Sequence, residues 1–282
     1  MQLFLTQTTK SILTVSLILS AITQNAPQVV AQTTNPTTTE KTAQPSRRVN
    51  SRKKKTRRPV FVSPKTPRKL TPISGRRAGM GSRNNCPAVP ISLTALAPFE
   101  EQANKRTNKS NIGIVGGTTT LERPKFWFYV PYTKNLENLS AEFSLQDSNG
   151  TDVYRENIVL PQKPGVVGIS LPNTVKPLEV GKTYRWYFKV NCSKQASSLP
   201  VYVEGDIQRI ALDSRIKKEL QAATDSQKKI TIYAKEGIWF DALNMLAQLR
   251  KSSQDASVEK DWQSLLQSVD LDNISTAPLV TR

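Results

Sequence analysis

The chain has 282 residues and a formal net charge of +18, from 40 Lys and Arg residues against 22 Asp and Glu. It contains no histidine, which excludes Ser-His-Asp triads, histidine general bases and histidine-ligated metals. Its two cysteines are too few for a Cys-rich metal site. Chemistry that uses only carboxylates stays possible, because paired Asp and Glu residues can hydrolyse glycosides.

The positive charge is concentrated in one stretch. Residues 41–83 hold fifteen Lys and Arg and no Asp or Glu, whereas residues 84–282 hold 24 basic and 21 acidic side chains. We therefore expect a nearly neutral folded part behind a strongly basic segment.

Residues 1–31 have the features of a secretory signal peptide. Lys10 provides a positive start, residues 11–22 (SILTVSLILSAI) form an apolar region, and VVA at 29–31 suits a cleavage site. A membrane anchor is the alternative, but these 12 residues fall short of the roughly 20 that a spanning helix needs. We predict cleavage between Ala31 and Gln32, and export to the periplasm or cell envelope.

Residues 32–83 are predicted to form a disordered linker, because they combine Thr, Pro and repeated like charges with few apolar side chains. The basic run is a candidate for attachment to anionic lipid, lipopolysaccharide or acidic polysaccharide, and a solvated spacer is the alternative. Nucleic acid is disfavoured because no aromatic residues are interleaved for base stacking. The candidate polyanion-binding residues are Arg52, Lys53, Lys54, Lys55, Arg57 and Arg58.

Residues 84–210 carry the alternating pattern of β-strands. In residues 178–192 (LEVGKTYRWYFKVNC), apolar side chains occupy alternate positions, at Tyr184, Trp186, Phe188 and Val190, and more polar residues lie between them. Leu178, Gly181 and Tyr184 have the L-x-x-G-x-x-Y spacing of a tyrosine corner, in which the hydroxyl bonds back to the main chain. Six such strands at about ten-residue intervals are typical of an immunoglobulin-like or fibronectin-like antiparallel β-sandwich.

One hairpin can be predicted in register. The Asn-Gly pair at 149–150 favours a tight turn, because both residues tolerate positive φ. A two-residue loop would pair Leu145 with Tyr154 and Ala141 with Ile158, which places these four apolar groups on one face of the sheet.

Residues 211–282 change to a helical period. We expect Asp213 or Ser214 to cap one helix, Gly237 to end another, and Ser257 to start the last. The clearest apolar stripe consists of Trp239, Ala242, Leu243 and Leu246. The sequence therefore predicts an α+β fold with a C-terminal helical segment.

The C-terminal helices allow two interpretations. Residues 233–249 (YAKEGIWFDALNMLAQL) faintly resemble one tetratricopeptide helix pair, which would indicate a peptide groove. Packing of the helices on the sandwich is favoured, because such repeats need stacking neighbours. Residues 125–132 (KFWFYVPY) are apolar on both faces, so we expect Trp127 and Tyr129 to pack with the Trp239 stripe.

The two cysteines, Cys86 and Cys192, are 106 positions apart. In an exported protein two lone cysteines most often form a disulfide, and two buried free thiols are the alternative. Closure of so long a loop stabilises by about 4–5 kcal/mol in the chain-entropy description. We therefore predict that the two cysteines pair.

Four carboxylates are the candidates for chemistry. Glu204 and Asp206 alternate onto the outer face of one strand, and Asp241 and Glu236 lie near the helical junction. Ordinary solvated charges are the favoured interpretation. We therefore expect a non-enzymatic binding or structural module with a basic tether, a possible protein partner and no cofactor. The alternative is a carboxylate-dependent enzyme acting on envelope polysaccharide.

A family resemblance covers roughly residues 84–271. The matching segments are CP at 86–87, LTAL at 93–96, RP at 123–124, FWFYVP at 126–131, AEF at 141–143, PLEVGKTYRWY at 177–187, VEG at 203–205, IQR at 207–209, YA at 233–234, GIW at 237–239 and DAL at 241–243. In order and spacing they resemble a cyanobacterial family of exported proteins known as domain of unknown function 928. The resemblance implies a compartment and an architecture, and it assigns no catalytic residue.

Overall fold

The computed structural model describes residues 58–64, 74–79, 86–101, 113–193 and 198–282. The predicted signal peptide and its cleavage site at Ala31 and Gln32 lie outside these ranges. No helix within them is long and apolar enough to cross a membrane.

Strands come first and helices last, which is compatible with the predicted α+β class. The strands are β1 (Thr94–Ala95), β2 (Phe99–Glu101), β3 (Gly113–Thr119), β4 (Lys125–Val130), β5 (Ser140–Gln146), β6 (Asp152–Ile158), β7 (Gly165–Ser170), β8 (Thr183–Asn191) and β9 (Val201–Arg209). The helices are α1 (Ser214–Ala222), α2 (Ser226–Lys235), α3 (Trp239–Ser252) and α4 (Ala256–Gln267), followed by a 3₁₀ turn at Asp272–Ile274.

The strands form two sheets. One has the order β1-β4-β7, and the other has the order β2-β3-β9-β8-β5-β6. The pair β3–β9 is parallel, with Gly116 opposite Asp206, so the prediction of a wholly antiparallel arrangement is wrong at this pair. Because β3 and β9 are far apart in the chain, no tight turn forces them to run in opposite directions.

Aromatic side chains from both sheets meet in one core. Phe128 of β4 stacks on Phe188 of β8 with ring centroids 4.8 Å apart, and Phe126 lies 5.0 Å from Phe143 of β5. Trp186 of β8 adds an edge contact to Phe128 at 5.6 Å. Aromatic pairs at these distances contribute about 0.5–1.5 kcal/mol each beyond the area they bury.

Two local predictions in the six-stranded sheet are confirmed. Leu145 pairs with Tyr154 and Ala141 with Ile158, although a bulge after Leu145 lengthens the turn. The Tyr184 hydroxyl accepts a hydrogen bond from the backbone N–H of Glu179 at 3.0 Å, as the tyrosine-corner spacing predicts.

Strand β3 was not predicted, because its sequence GIVGGTT is rich in glycine. A neighbouring helix favours glycine at 117, since an added Cβ would lie only 3.0 Å from Cβ of Trp239. Glycine in a strand often marks such a close approach of another element.

The helix ends follow the predicted caps with one exception. Asp213 caps α1 by accepting from the Ile216 N–H, and Gly237 follows α2 with φ +73°. The last helix is capped by Asp255 instead of Ser257, and the N–H of Ser257 donates to the Asp255 side chain. A carboxylate accepts more strongly than a hydroxyl and also favours the helix dipole.

Helix α3 packs on the sheets at the edge of the aromatic core. The indole N–H of Trp239 donates to the carbonyl of Leu96 at 2.9 Å, and Phe240 meets Phe126 at 5.7 Å. On the other face of β4, Trp127 is predicted to pack with the Trp239 stripe. The structure places its ring beside the last turn of α3, 5.5 Å from the ammonium group of Lys251.

Two pieces of the predicted linker pack on the folded part. Phe61 is buried and meets Trp239 edge-on at 5.2 Å. Arg76 exchanges backbone hydrogen bonds with Glu204 of β9, at 3.0 and 2.9 Å. Ala78 bridges to Thr94 of β1. The structure therefore corrects the prediction of one continuous disordered linker over 32–83, because an apolar anchor and a strand-like segment lie within it.

A disulfide joins Cys86 to Cys192 with the Cα atoms 4.9 Å apart. It links the segment before β1 in the three-stranded sheet to the residue after β8 in the other sheet.

Candidate functional site

The outer face of β8 and β9 brings together two of the four candidate carboxylates. Arg185 lies between them, with Nη2 2.8 Å from Glu204 Oε2 and Nη1 3.3 Å from Asp206 Oδ1. The register that places Arg185 opposite Asp206 explains this contact. We call Arg185, Glu204 and Asp206 the Arg185 cluster. The sequence did not indicate the arginine, because only the sheet register makes it their neighbour.

The Arg185 cluster is tied to the basic segment. Nη2 of Arg185 also donates to the carbonyl of Ser74 at 2.7 Å, just before the backbone pairing of Arg76 with Glu204. The guanidinium of Arg76 lies 4.5 Å from the ring of Tyr202 on the same strand. Residues 74–76, at the end of the predicted linker, therefore contact both Arg185 and Glu204.

Asp206 is the most perturbed member of the cluster. Its side chain is 6% exposed, and burial raises its pKa to about 6, with a further contribution from the negative charge of Glu204. The positive charge of Arg185 acts in the opposite direction. A carboxyl group with such a pKa changes charge close to neutral pH.

A pocket of about 630 Å³ lies beside this cluster. Its walls include the β5–β6 turn, the turn before β8, Asp206, Arg185 and Tyr187. Two cations lie near Tyr187, because the Arg185 guanidinium and the Lys189 ammonium are 5.7 and 5.3 Å from its ring. Mixed hydrogen-bonding groups around an aromatic ring suit a polar ligand, and the volume is within the range of small-molecule sites.

Asp241 does not line that pocket, and its hydrogen bonds join two elements of the fold. It is 4% exposed and accepts hydrogen bonds from the Thr119 hydroxyl at 2.6 Å and from the N–H and hydroxyl of Thr120. Burial raises its pKa, and these hydrogen bonds oppose the shift. The carboxylate therefore holds the first turn of α3 to the end of β3.

Glu236 is also separate from the other candidates. It pairs with Arg215 of α1 at 2.6 Å, and this contact holds its pKa below the ordinary value. The structure thus brings Glu204 and Asp206 together, while Asp241 and Glu236 each serve contacts between elements. Among the described residues, no group of three or more acidic or cysteine side chains is arranged to hold a metal ion.

Of the polyanion-binding candidates, Arg52, Lys53, Lys54, Lys55 and Arg57 lie outside the described residues. Arg58 is described and exposed. The next residue, Pro59, is held to α4, because its carbonyl accepts from the Ser264 hydroxyl at 3.1 Å.

A family model for a Domain of Unknown Function, DUF928, matches residues 78–279, which is well over half of the chain. The chain belongs to the DUF928 family. No curated protein and no solved structure matches it. The DUF928 match begins at Ala78, which bridges to Thr94, and ends at Leu279, which bridges to Val166. It therefore includes both chain segments that pair with the three-stranded sheet.

Proposed function

We propose that this DUF928 protein is an exported cell-envelope module without enzymatic activity, attached to anionic surfaces by its basic run at residues 52–58. The observation that carries the proposal is the anchoring of Phe61 directly after the run. Phe61 is 7% exposed, its N–H donates to the Ser268 hydroxyl at 3.0 Å, and the N–H of Val62 donates to the carbonyl of Ala234 at 3.0 Å.

The anchor limits where the basic run can be. Arg58 is fixed at the surface of the folded part, and six residues of chain reach at most about 20 Å. The preceding charges of the run can be no farther from Arg58 than this length of chain, so a polyanion bound by them would be held near the folded part. A spacer that only separates two parts of a protein has no need of such an anchor.

The affinity should come from charge. Each Lys or Arg near an anionic lipid surface contributes about 1 kcal/mol, and the attraction falls off within roughly 8–10 Å at physiological salt. Ordering of the chain opposes part of this gain. Four charges should therefore change binding at least roughly tenfold.

The test uses substitution, because truncation at residue 84 would remove Phe61 and residues 74–79. Arg52, Lys53, Lys54 and Lys55 are replaced by Gln together, and partition onto anionic vesicles is measured at about 50 and about 500 mM salt. A matched control loses four exposed lysines of the folded part, Lys176, Lys217, Lys218 and Lys260. We expect the run variant to bind at least tenfold more weakly and the control to bind nearly as well as the wild type. Equal binding of all three proteins would refute the attachment.

Export is part of the proposal and has its own test. The basis is the charged, apolar and small-residue order of residues 1–31. We expect protein recovered from the envelope fraction of the expressing cell to begin at Gln32 on N-terminal sequencing. Recovery only from the cytosol with an intact start would contradict it.

The fold that we propose for the module is an immunoglobulin-like or fibronectin-like sandwich. The aromatic contacts from β4 to β5 and β8 and the tyrosine corner at Tyr184 support it. An experimental structure in which β4 does not face β8 would contradict this assignment.

A second candidate function is favoured by one observation. Asp206 lines a pocket, has a pKa raised to about 6 by burial, and has a second carboxylate, Glu204, on the same arginine. A carboxyl group with a pKa of about 6 still carries a proton in a fraction of the molecules near neutral pH, and such an acid is one component of glycoside hydrolysis. If the protein hydrolyses envelope polysaccharide, Asp206→Asn should abolish the release of reducing ends. Activity absent from the wild type, or retained in Asp206→Asn, would remove the enzymatic alternative.

A further inference from the structure

A groove of about 690 Å³ lies along the C-terminal segment, away from the Arg185 cluster. Its described lining includes three basic side chains, those of Lys134, Lys163 and Arg282, and no Asp or Glu side chain. Its apolar lining consists of Val159, Leu160, Leu279 and Val280. We call it the C-terminal groove.

Backbone hydrogen bonds hold the walls of the C-terminal groove in place. The N–H of Lys134 donates to the carbonyl of Pro161 at 3.0 Å, which joins the loops that carry Lys134 and Lys163. On the opposite wall, Val166 donates to Pro278 at 2.8 Å and accepts from Val280 at 2.9 Å. The groove is therefore formed before any ligand arrives, which reduces the entropy lost on binding.

The cations of the groove are only partly neutralised by the protein. Arg282 pairs with Glu156 at 2.7 Å, whereas Lys134 and Lys163 form no ion pair within the described ranges. Two further cations, Lys125 and Lys251, lie within 5.5 Å of the Trp127 ring. Burial lowers the pKa of Lys125, and the nearby positive charges of Lys251 and Arg282 add to this shift.

One apolar residue of the lining is open to solvent. Val159 is 65% exposed, while Leu160 beside it is buried. Lysine headgroups around an exposed aliphatic patch match a ligand that has a negative end and a hydrocarbon body.

We propose that the C-terminal groove binds a single anionic amphiphile, whose oxyanion group contacts Lys134 and Lys163 and whose alkyl body covers Val159. The described lining of this site comes from residues 134–282 and includes no residue of the basic run. It would let the folded part take one lipid-like molecule while the run attaches the protein to the surface.

The test titrates the exported protein with octyl phosphate below its micelle concentration by isothermal calorimetry. Inorganic phosphate supplies the charge without the alkyl body, and octyl glucoside supplies the alkyl body without the charge. We expect octyl phosphate to bind at least roughly tenfold more tightly than either, because only it uses both halves of the groove.

Variants then locate the site. Lys134→Gln and Lys163→Gln should each weaken octyl phosphate binding about three- to tenfold, and Val159→Asp should weaken it more. The matched controls are Lys176→Gln and Val180→Asp, which alter equally exposed positions outside the groove, with Val180 54% exposed. All these side chains are exposed, so unchanged thermal unfolding is expected and shows that each variant is folded.

The four-charge variant of the basic run separates this proposal from the vesicle attachment. It should bind octyl phosphate as well as the wild type does, whatever its partition onto vesicles. The proposal is overturned if inorganic phosphate binds as tightly as octyl phosphate, or if the groove variants bind octyl phosphate like the controls.

Discussion

The Arg185 cluster and the C-terminal groove are both charged surfaces, but they differ in how the charges are balanced. In the cluster the guanidinium contacts Glu204, Asp206 and the carbonyl of Ser74, and its side chain is only 13% exposed. In the groove Lys134 and Lys163 are exposed and have no ion pair within the part of the chain that the structure describes.

The difference separates charges that serve folding from charges that are free to bind. Removing one partner of a largely buried ion pair destabilises the protein, because the remaining charge is left in a poorly solvated position. An exposed lysine without a partner contributes almost nothing to folding.

Asp241 should show the greatest loss, because it is a charged group satisfied wholly inside the protein. Asp241→Ala leaves the donors of Thr119 and Thr120 unpaired, and we expect a decrease of about 3 kcal/mol in the free energy of unfolding by urea. Asp241→Asn keeps one acceptor oxygen and should lose less. Equal stability of Asp241→Ala and the wild type would show that the carboxylate does not fasten α3 to β3.

Phe61 should show the next largest loss, because it anchors the unbalanced basic run with an apolar contact. Phe61→Ala removes the contact with Trp239 at the edge of the core, and we expect about 2–3 kcal/mol of destabilisation. The control is Val60→Ala, since Val60 is 53% exposed and should change stability by less than about 0.5 kcal/mol. If both variants unfold at the wild-type urea concentration, the anchor does not form in solution.

The pH dependence of the free energy of unfolding should show the raised pKa of Asp206. Because burial raises its pKa to about 6, its ionisation opposes folding, and its favourable contribution is present below about pH 4 and lost as pH rises through about 6. Relative to Asp206→Asn, the wild type should therefore become less stable by on the order of 2 kcal/mol between pH 4 and pH 7.

Asp152 provides the comparison for that measurement. Its pKa is lowered, chiefly by the hydrogen bond from Arg155, so its contribution is lost as the pH falls and not as it rises. Asp152→Asn should give a smaller difference of the opposite sign, because the group is exposed. A stability difference between the wild type and Asp206→Asn that does not vary with pH would contradict the assignment.

Local signals in the sequence predicted local structure well. The Asn-Gly turn determined the pairing of Ala141 with Ile158, and the L-x-x-G-x-x-Y spacing located the hydroxyl of Tyr184. Gly237 is predicted as a helix end because glycine, which has no Cβ, tolerates the positive φ that it adopts there. Each of these features depends on residues a few positions apart.

The features that were missed depend on residues far apart in the chain. Glycine-rich β3 is a strand because it lies beside β9 and beneath Trp239, not because of strand propensity. Phe61 stands in a basic stretch, and only its burial against a helix 178 positions later distinguishes it from a linker residue. Glu204 and Asp206 are predicted on one face of a strand, but their shared partner Arg185 depends on the register of β8 with β9.

The most direct test of this account measures two quantities on two variants. Arg185→Gln should lose about 2 kcal/mol in the free energy of unfolding and keep wild-type partition onto anionic vesicles, because its charge is already balanced. The four-charge variant at Arg52, Lys53, Lys54 and Lys55 should keep its stability within about 0.5 kcal/mol and bind vesicles at least tenfold more weakly. If Arg185→Gln loses vesicle binding while it stays folded, or if the four-charge variant binds vesicles like the wild type, the division between folding charges and binding charges is wrong.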